Sequence, residues 1–408
     1  MAFRFIHTAD LHLDSPMRSL ALRDPDLAGL IAGATRTALR NIIDLCLSEQ
    51  VDALLISGDL YDGSQTSMKT ARFLAAELAR LNDAGIRAFI IRGNHDAESR
   101  ITRELTLPPC VHLFDGRAGV VQIDKGPLRI AVHGLSFREP KAPESLLPKY
   151  RPPIGDAINI GLMHTSLNGA EGHDPYAPCA LSDLHASGFD YWALGHIHKR
   201  AVYRGDACVV MPGIPQGRDI GEVDGGSVTL VTVDDGGALH LEERGVALAA
   251  FCPLRVDVTG IDHWNDLLGA MRTTLQNAQH SAAAPHLVAR LRLTGTSALA
   301  QRLLRDRDIA LAEAQEQARA IGQTWVEKLV LDLGHTTSVS GELAQLAALI
   351  DDEFRYSDSF TTALEDMRAT LQAALPPDPA LRAAFDQLDP ALIDDGLAQV
   401  LARLAGAR

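Results

Sequence analysis

Apolar residues fall in short runs through the first half of the chain, and stretches with apolar positions at helical spacing lie between them. A run of about five apolar residues fits a strand buried on both faces, whereas apolar positions at i, i+3 and i+4 fit a helix that buries one face. The pattern predicts strands over 3–7, 53–57 and 88–91 and helices over 35–49 and 66–82. Strands alternating with helices point to βαβ units and a largely parallel sheet. From about Val111 the apolar runs lie closer together, at 111–114, 119–123, 129–133, 159–163, 191–194, 208–211, 227–233 and 239–243. Gly, Pro and Asp turns join them, which predicts a second, mixed sheet packed on the first. The Pro-rich stretch 139–153 reads as a surface excursion at the rim of an active site.

Near Phe251-Cys252-Pro253 the pattern restarts, with strands expected over 254–258, 286–294 and 325–333 and helices over 263–278 and 308–320. This is the outline of a small α+β domain. Beyond Gly341 only helical periodicity remains, over 342–354, 359–375 and 390–405, broken at Pro376-Pro377. The expected organisation is a catalytic domain over 1–250, a small capping-type domain over 251–340 and a helical tail over 341–408.

Composition changes this picture little. With 46% hydrophobic and 22% charged residues in 408, the chain reads as an ordinary globular protein. No stretch approaches the roughly 20 apolar residues of a membrane span, and the start MAFRFIHTADLH turns polar too soon for a signal peptide, so a cytoplasmic location is expected. The five cysteines are scattered without a C-x-x-C pair, which argues against a disulfide framework or a zinc knuckle. A net charge of −14 argues against nucleic-acid binding by a general basic surface, but not against a local groove or a metal-centred site. Residues 341–408 hold twelve Asp/Glu against five Lys/Arg, so the tail is a poor surface for DNA.

Chemistry concentrates just past the apolar runs, in Asp10-Leu11-His12, Gly58-Asp59, Gly93-Asn94-His95-Asp96, Met163-His164 and Gly195-His196-Ile197-His198. In an open α/β sheet, loops at the carboxyl ends of the strands converge on one crevice, so these distant segments are expected together. Carboxylate, amide and imidazole donors without thiolates suit Mn, Fe or Zn in an open site. Two such ions about 3.5–4 Å apart can clamp a phosphodiester, generate hydroxide at neutral pH and stabilise charge on phosphorus.

The ordered set D-x-H, GD-x-x-D, GNHD, H and GH-x-H resembles the calcineurin-like metallophosphoesterase superfamily. The phrases FIHTADLHLDS, ISGDLYD, IRGNHD and WALGHIH are similar to the SbcD-type DNA-repair exonucleases, especially the YhaO-like branch. The resemblance implies an α/β fold of two packed mixed β-sheets flanked by helices, the metallophosphoesterase sandwich, with the small α+β domain and helical tail added. It implies two divalent metal ions, Mn2+ foremost. Asp10, His12, Asp59 and His198 would hold the first; Asp59, Asn94, His164 and His196 the second. His95 would donate a proton or hydrogen bond to the scissile phosphate and leaving oxygen, and Asp96 would orient His95. The implied function is DNA exonuclease or endonuclease action in repair, with an SbcC-like ATPase as partner and a homodimer as an allowed assembly. Docking of that ATPase falls to the helices after Gly341, where Leu343, Leu346, Leu349 and Ile350 recur at helical spacing.

Blander readings stand beside these. His7 reads as a core or supporting residue, and His133 as either a brace for a ligand or simple packing. His112, His173 and His185 read as surface or loop residues, Asp14 and Asp62 as turn or supporting residues, and the tail helices equally well as packed on their own domain. Two other functions compete. A phosphoesterase for nucleotides or small phosphorylated molecules would need the same metals but not the extra domains. A non-catalytic regulatory subunit would not need a complete ligand set.

Overall fold

Alternate side chains of the first strands leave on opposite faces, and both faces are buried. In the strand Ala53–Ser57, Leu54 and Ile56 pack with Leu39, Ile42, Leu74 and Leu78 of the helices Ala34–Ser48 and Met68–Asp83, while Ala53 and Leu55 enter a second core shared with another sheet. That is why the run is apolar throughout. The computed structural model describes residues 2–15, 25–62, 67–98, 106–140, 142–167, 176–223, 225–333, 342–374, 385 and 391–406. His173 and the break at Pro376-Pro377 lie outside them.

The first sheet holds β1 (Phe3–Thr8), β2 (Ala53–Ser57), β3 (Arg87–Ile91) and β4 (Val111–Leu113) in parallel. The second is built from β5 (Gly119–Lys125), β6 (Leu128–Gly134), β7 (Ile158–His164), β8 (Tyr191–Gly195), β9 (Ala201–Arg204) and β10 (Cys208–Met211), in the order β5-β6-β7-β8-β10-β9. The chain then returns to the first sheet: β11 (Ser227–Val233) pairs antiparallel with β1, and β12 (Leu239–Gly245) with β11, for the order β12-β11-β1-β2-β3-β4. Residues 111–114, 227–233 and 239–243, expected in the second sheet, thus belong to the first. Spacing along the chain records that a strand forms, not which edge accepts it. Phe3, Phe5, Leu55, Phe89, Ile130, Val132, Leu162, Tyr191 and Val210 fill the space between the sheets. The fold is mixed α/β, two large mixed sheets flanked by helices.

A third sheet follows, of β13 (Ala249–Asp257), β14 (His286–Gly295) and β15 (Thr324–Leu333). The chain resolves into two compact units, Met1–Pro253 with Asn277–Ala289 and Gln323–Glu327, and Leu254–Gln276 with Arg290–Gly322 and Lys328–Arg408. In the second unit the tail helix Ala391–Gly406 packs against the helices Ala300–Arg305 and Glu342–Asp352. Leu346 and Leu349 of the helix Glu342–Asp352, and Phe354, Tyr356, Met367 and Leu371 beyond it, stay exposed. No helix among the described residues is long and apolar enough to cross a membrane.

Candidate metal centre

Parallel strands end at a common edge, and β1, β2, β3, β7 and β8 deliver their polar ends there. The segment after β1 runs beside the segment after β2, with Asp10 N–H donating to Gly58 O (3.0 Å), His12 N–H to Asp59 O (3.1 Å) and Leu13 N–H to Leu60 O (3.0 Å). The link to the second sheet is made by His196 N–H, which donates to the Asp10 carboxylate at 3.0 and 3.1 Å. His164 is the last residue of β7, and its Nδ1 bonds Ser57 O at 2.9 Å, so its Nε2 faces Asn94 Oδ1 (3.0 Å) and Asp59 Oδ2 (3.4 Å).

Two donor triads result. Ligand atoms of Asp10, His12 and His198 lie within 4.8 Å of one another, as do those of Asp59, His164 and His196. Asp59 stands between them, its Oδ2 being 3.9 Å from His12 Nε2 and 3.4 Å from His164 Nε2. A third group, His12, Asp62 and His95, sits alongside. His12 Nε2 and His198 Nε2 approach to 3.2 Å, and His198 directs its Nδ1 at Glu222 Oε1 (2.7 Å). Neighbouring ligands on one ion with bonds of about 2.1 Å are separated by about 3 Å in an octahedron. The convergent nitrogens and oxygens therefore fit divalent ions of the Mn/Fe/Zn kind.

Backbone strain marks the same positions. Asp10 (φ 54°), His12 (40°), Asp59 (53°) and His196 (101°) all adopt the left-handed region without being glycine. Such residues cost on the order of 1–3 kcal/mol each and persist where the surroundings over-determine them. Gly93 is demanded by space, because a Cβ there would lie 2.1 Å from Asp59 Oδ1.

Burial and charge oppose each other throughout. Burial pushes the Asp10 carboxyl up, against the pull of His164 and His198. Burial works the same way on Asp59, but His164, His12 and His95 overcome it and hold the carboxyl well below its usual range. His164 is disfavoured as a cation by burial, yet Asp59 and Asp10 lift its pKa to about 9. Burial lowers His12 well below the ordinary imidazole value. His198 is raised, burial notwithstanding, by its bond to Glu222.

His95 projects at the mouth, with its ring Nδ1 3.6 Å from Asp62 Oδ1 and its backbone N–H donating to Asp59 Oδ1 (3.1 Å). Asp96, expected to orient His95, uses its carboxylate elsewhere: it accepts from the N–H groups of Leu60 (3.2 Å), Tyr61 (3.2 Å) and Gly93 (3.1 Å). Burial and the nearby Asp59 charge push its pKa to about 7. Asp96 thereby ties the Asp59 loop to the Asn94 loop. Asp62 is the carboxylate that faces His95.

The supporting residues are sorted by the same geometry. His7 bonds Tyr191 OH (2.9 Å) and Leu194 O (3.0 Å), bracing β8 just before His196, and burial lowers its pKa to about 3. His133 bonds Asn159 Oδ1 (3.1 Å) and packs edge-on against Phe189. Asp14 pairs with Arg36 and Thr70, beneath the Asp10 loop. Arg218 and Glu222, in the loop after β10, were not visible in the sequence as site residues. The one available signal is that a His-x-His ligand pair needs an acceptor for its outer nitrogens.

Residues 3–200 match the family Calcineurin-like phosphoesterase, and residues 251–334 match the family Metallophosphoesterase YhaO, middle domain. The chain is 37% identical over 235 residues to Uncharacterized metallophosphoesterase YhaO of Bacillus subtilis (strain 168), covering 57% of this chain and 58% of that protein. It is 27% identical over 209 residues to DNA double-strand break repair protein Mre11 of Methanocaldococcus jannaschii, covering 49% and 52%. The matches thus span little more than half the length of these curated relatives. Among solved structures, TT1561 of Thermus thermophilus aligns with a TM-score of 0.35 and 16% identity, over 59% of this chain and 99% of that one. Residues 3–200 thus belong to the calcineurin-like metallophosphoesterase family, and the chain has a YhaO-like relative at 37% identity and Mre11 relatives at lower identity.

Proposed function

We propose that the chain is a metal-dependent phosphodiesterase that cleaves DNA. The observation that carries this reading is the pair of donor triads meeting at Asp59, with His95 beside them at the mouth. Asp10, His12, Asp59 and His198 would hold one divalent ion, and Asp59, Asn94, His164 and His196 the other. Two such ions supply Lewis acidity to a phosphate and make water a competent nucleophile near neutral pH. His95 meets the phosphate and donates a proton or hydrogen bond to the leaving oxygen, a role that an imidazole at the mouth of the site can fill. Asp62 keeps the His95 ring turned toward the opening, and Asp96 holds the two ligand loops at a fixed separation.

DNA as substrate is supported by the relatives named for double-strand break repair. Mn2+ suits the four imidazoles, because Mg2+ favours oxygen ligands and retained water. The exposed apolar residues of the tail suit a protein partner such as an SbcC-like ATPase, and the acidic bias of 341–408 turns phosphates away. The deciding assay is purified protein with Mn2+ on labelled single- and double-stranded DNA, beside bis-p-nitrophenyl phosphate and cyclic nucleotides. DNA cleavage that chelation abolishes and Mn2+ restores is the expected result. Turnover of nucleotides with intact DNA would replace this reading by a small-molecule phosphoesterase, and cleavage undiminished in excess chelator would remove the metal reading.

A further inference from the structure

Glu222 lies outside every motif legible in the sequence, yet its carboxylate is among the most tightly held groups near the site. Oε1 accepts from His198 Nδ1 (2.7 Å) and from Arg218 Nε (3.1 Å) and Nη2 (2.6 Å). Oε2 accepts from the Arg218 backbone N–H (2.7 Å) and again from Nε (3.1 Å). The guanidinium and the backbone of one residue thus fix both oxygens. Arg218 also reaches Ser15 Oγ at 3.5 Å, and Ser15 donates to Asp62 Oδ2 at 2.8 Å. The side chains of His198, Arg218 and Glu222 are all half-buried or better.

A neutral imidazole whose single N–H is the Nδ1 proton donated to a carboxylate presents a bare lone pair at Nε2. His198 Nε2 points at His12 Nε2 in the Asp10, His12, His198 triad. We infer that Glu222, clamped by Arg218, is a positioning residue that fixes the tautomer and ring orientation of His198 and thereby sets the metal affinity of that triad, leaving the Asp59, His164, His196 triad untouched. The inference rests on the metal reading proposed above. It adds a selective claim, that one of two binding steps depends on a residue which touches no metal. A carboxylate in this place strengthens a histidine ligand by holding its geometry and raising its basicity, and its loss costs about 10–100-fold in metal affinity. Arg218 enters by holding Glu222, so removing Arg218 has the smaller effect.

Calorimetric titration of metal-free protein with Mn2+ tests this without any activity measurement. The parent is expected to bind two ions. Glu222→Ala is expected to weaken one step by about 10–100-fold and leave the other unchanged. Glu222→Gln, whose amide oxygen still accepts from Nδ1, should recover part of the loss, and Arg218→Ala should fall between it and the parent. Thermal melting of each metal-free variant checks the fold, and the isosteric Glu222→Gln carries the test if Glu222→Ala unfolds. Two binding steps unchanged in both Glu222 variants would overturn the positioning role while sparing the metal reading. Equal weakening of both steps would overturn the selectivity claimed here. A parent that binds no metal would overturn the metal reading and this inference with it.

Discussion

Two regions of the molecule invert the usual distribution of polar and apolar groups, in opposite senses. At the strand ends Asp10 is 0% exposed and Asp59 2%, whereas in the tail Tyr356 is 75% exposed and Met367 61%. Buried carboxylates cost free energy unless they are partnered, and exposed apolar side chains forgo the gain of burial. The first inversion is compensated inside the unit, by backbone N–H groups, imidazoles and a donor geometry that suits cations. Among the described residues, the second has no such compensation. The contrast separates a region whose buried charges are answered within its own unit from one whose exposed apolar side chains are not covered among the described residues.

The largest effect is expected from Asp59→Ala, which takes away the residue between the triads. Hydrolysis of bis-p-nitrophenyl phosphate should fall by about a thousandfold or more, and metal content measured by atomic emission should fall with it. Retention of two ions by this variant would show that Asp59 is dispensable to binding. His95→Ala comes next: kcat should drop by about 100–10,000-fold while metal content stays at the parent level. A variant that turns over at the parent rate would remove His95 from the chemistry.

Stability against pH sharpens the same half. His7 is held neutral by burial, with its pKa at about 3 against 6.5 for a free imidazole. The unfolded chain therefore takes up this proton first as the pH falls. Stability is full above 6.5 and declines toward 3, by about 2 kcal/mol between neutral pH and pH 5. Denaturant titrations should show this slope in the parent and a flatter one in His7→Gln; identical slopes would locate the acid sensitivity elsewhere. The smallest effect belongs to the tail. Leu349→Glu with Tyr356→Ala should change stability by no more than about 0.5 kcal/mol and leave diester hydrolysis intact, while abolishing co-purification with an SbcC-like ATPase. A loss of several kcal/mol would mean that these side chains serve their own unit.

The ligand candidates were legible because each follows an apolar run, and a parallel sheet gathers such ends at one edge whatever their separation in sequence. Pairing was less legible. β4, β11 and β12 join the first sheet because of an edge left open by β3 and β1, which no local pattern encodes. The two aspartates near His95 show a similar limit. Asp96 adjoins His95 in sequence, but both belong to the helix Asn94–Glu98, where neighbours diverge by about 100°, so Asp96 turns inward and Asp62 from another loop meets the ring. Arg218 and Glu222 were invisible for a plainer reason. An arginine and a glutamate four apart in a loop have no signature until the partner histidine is in place. In the tail, the side chain of Leu343 lies outside the description, while Leu346 and Leu349 of the same expected stripe are exposed.

The return of β11 to pair with β1 bears on how the protein is made. β1 leaves the ribosome well before its antiparallel partner Ser227–Val233, which follows more than two hundred residues later. At about 5–20 residues per second, β1 waits roughly ten seconds or longer with one flank unpaired. During that interval a nascent chain carries an apolar edge open to mispairing. Slow elongation before residue 227 would lengthen that exposure, and a chaperone that shields a waiting strand would raise the yield of folded protein.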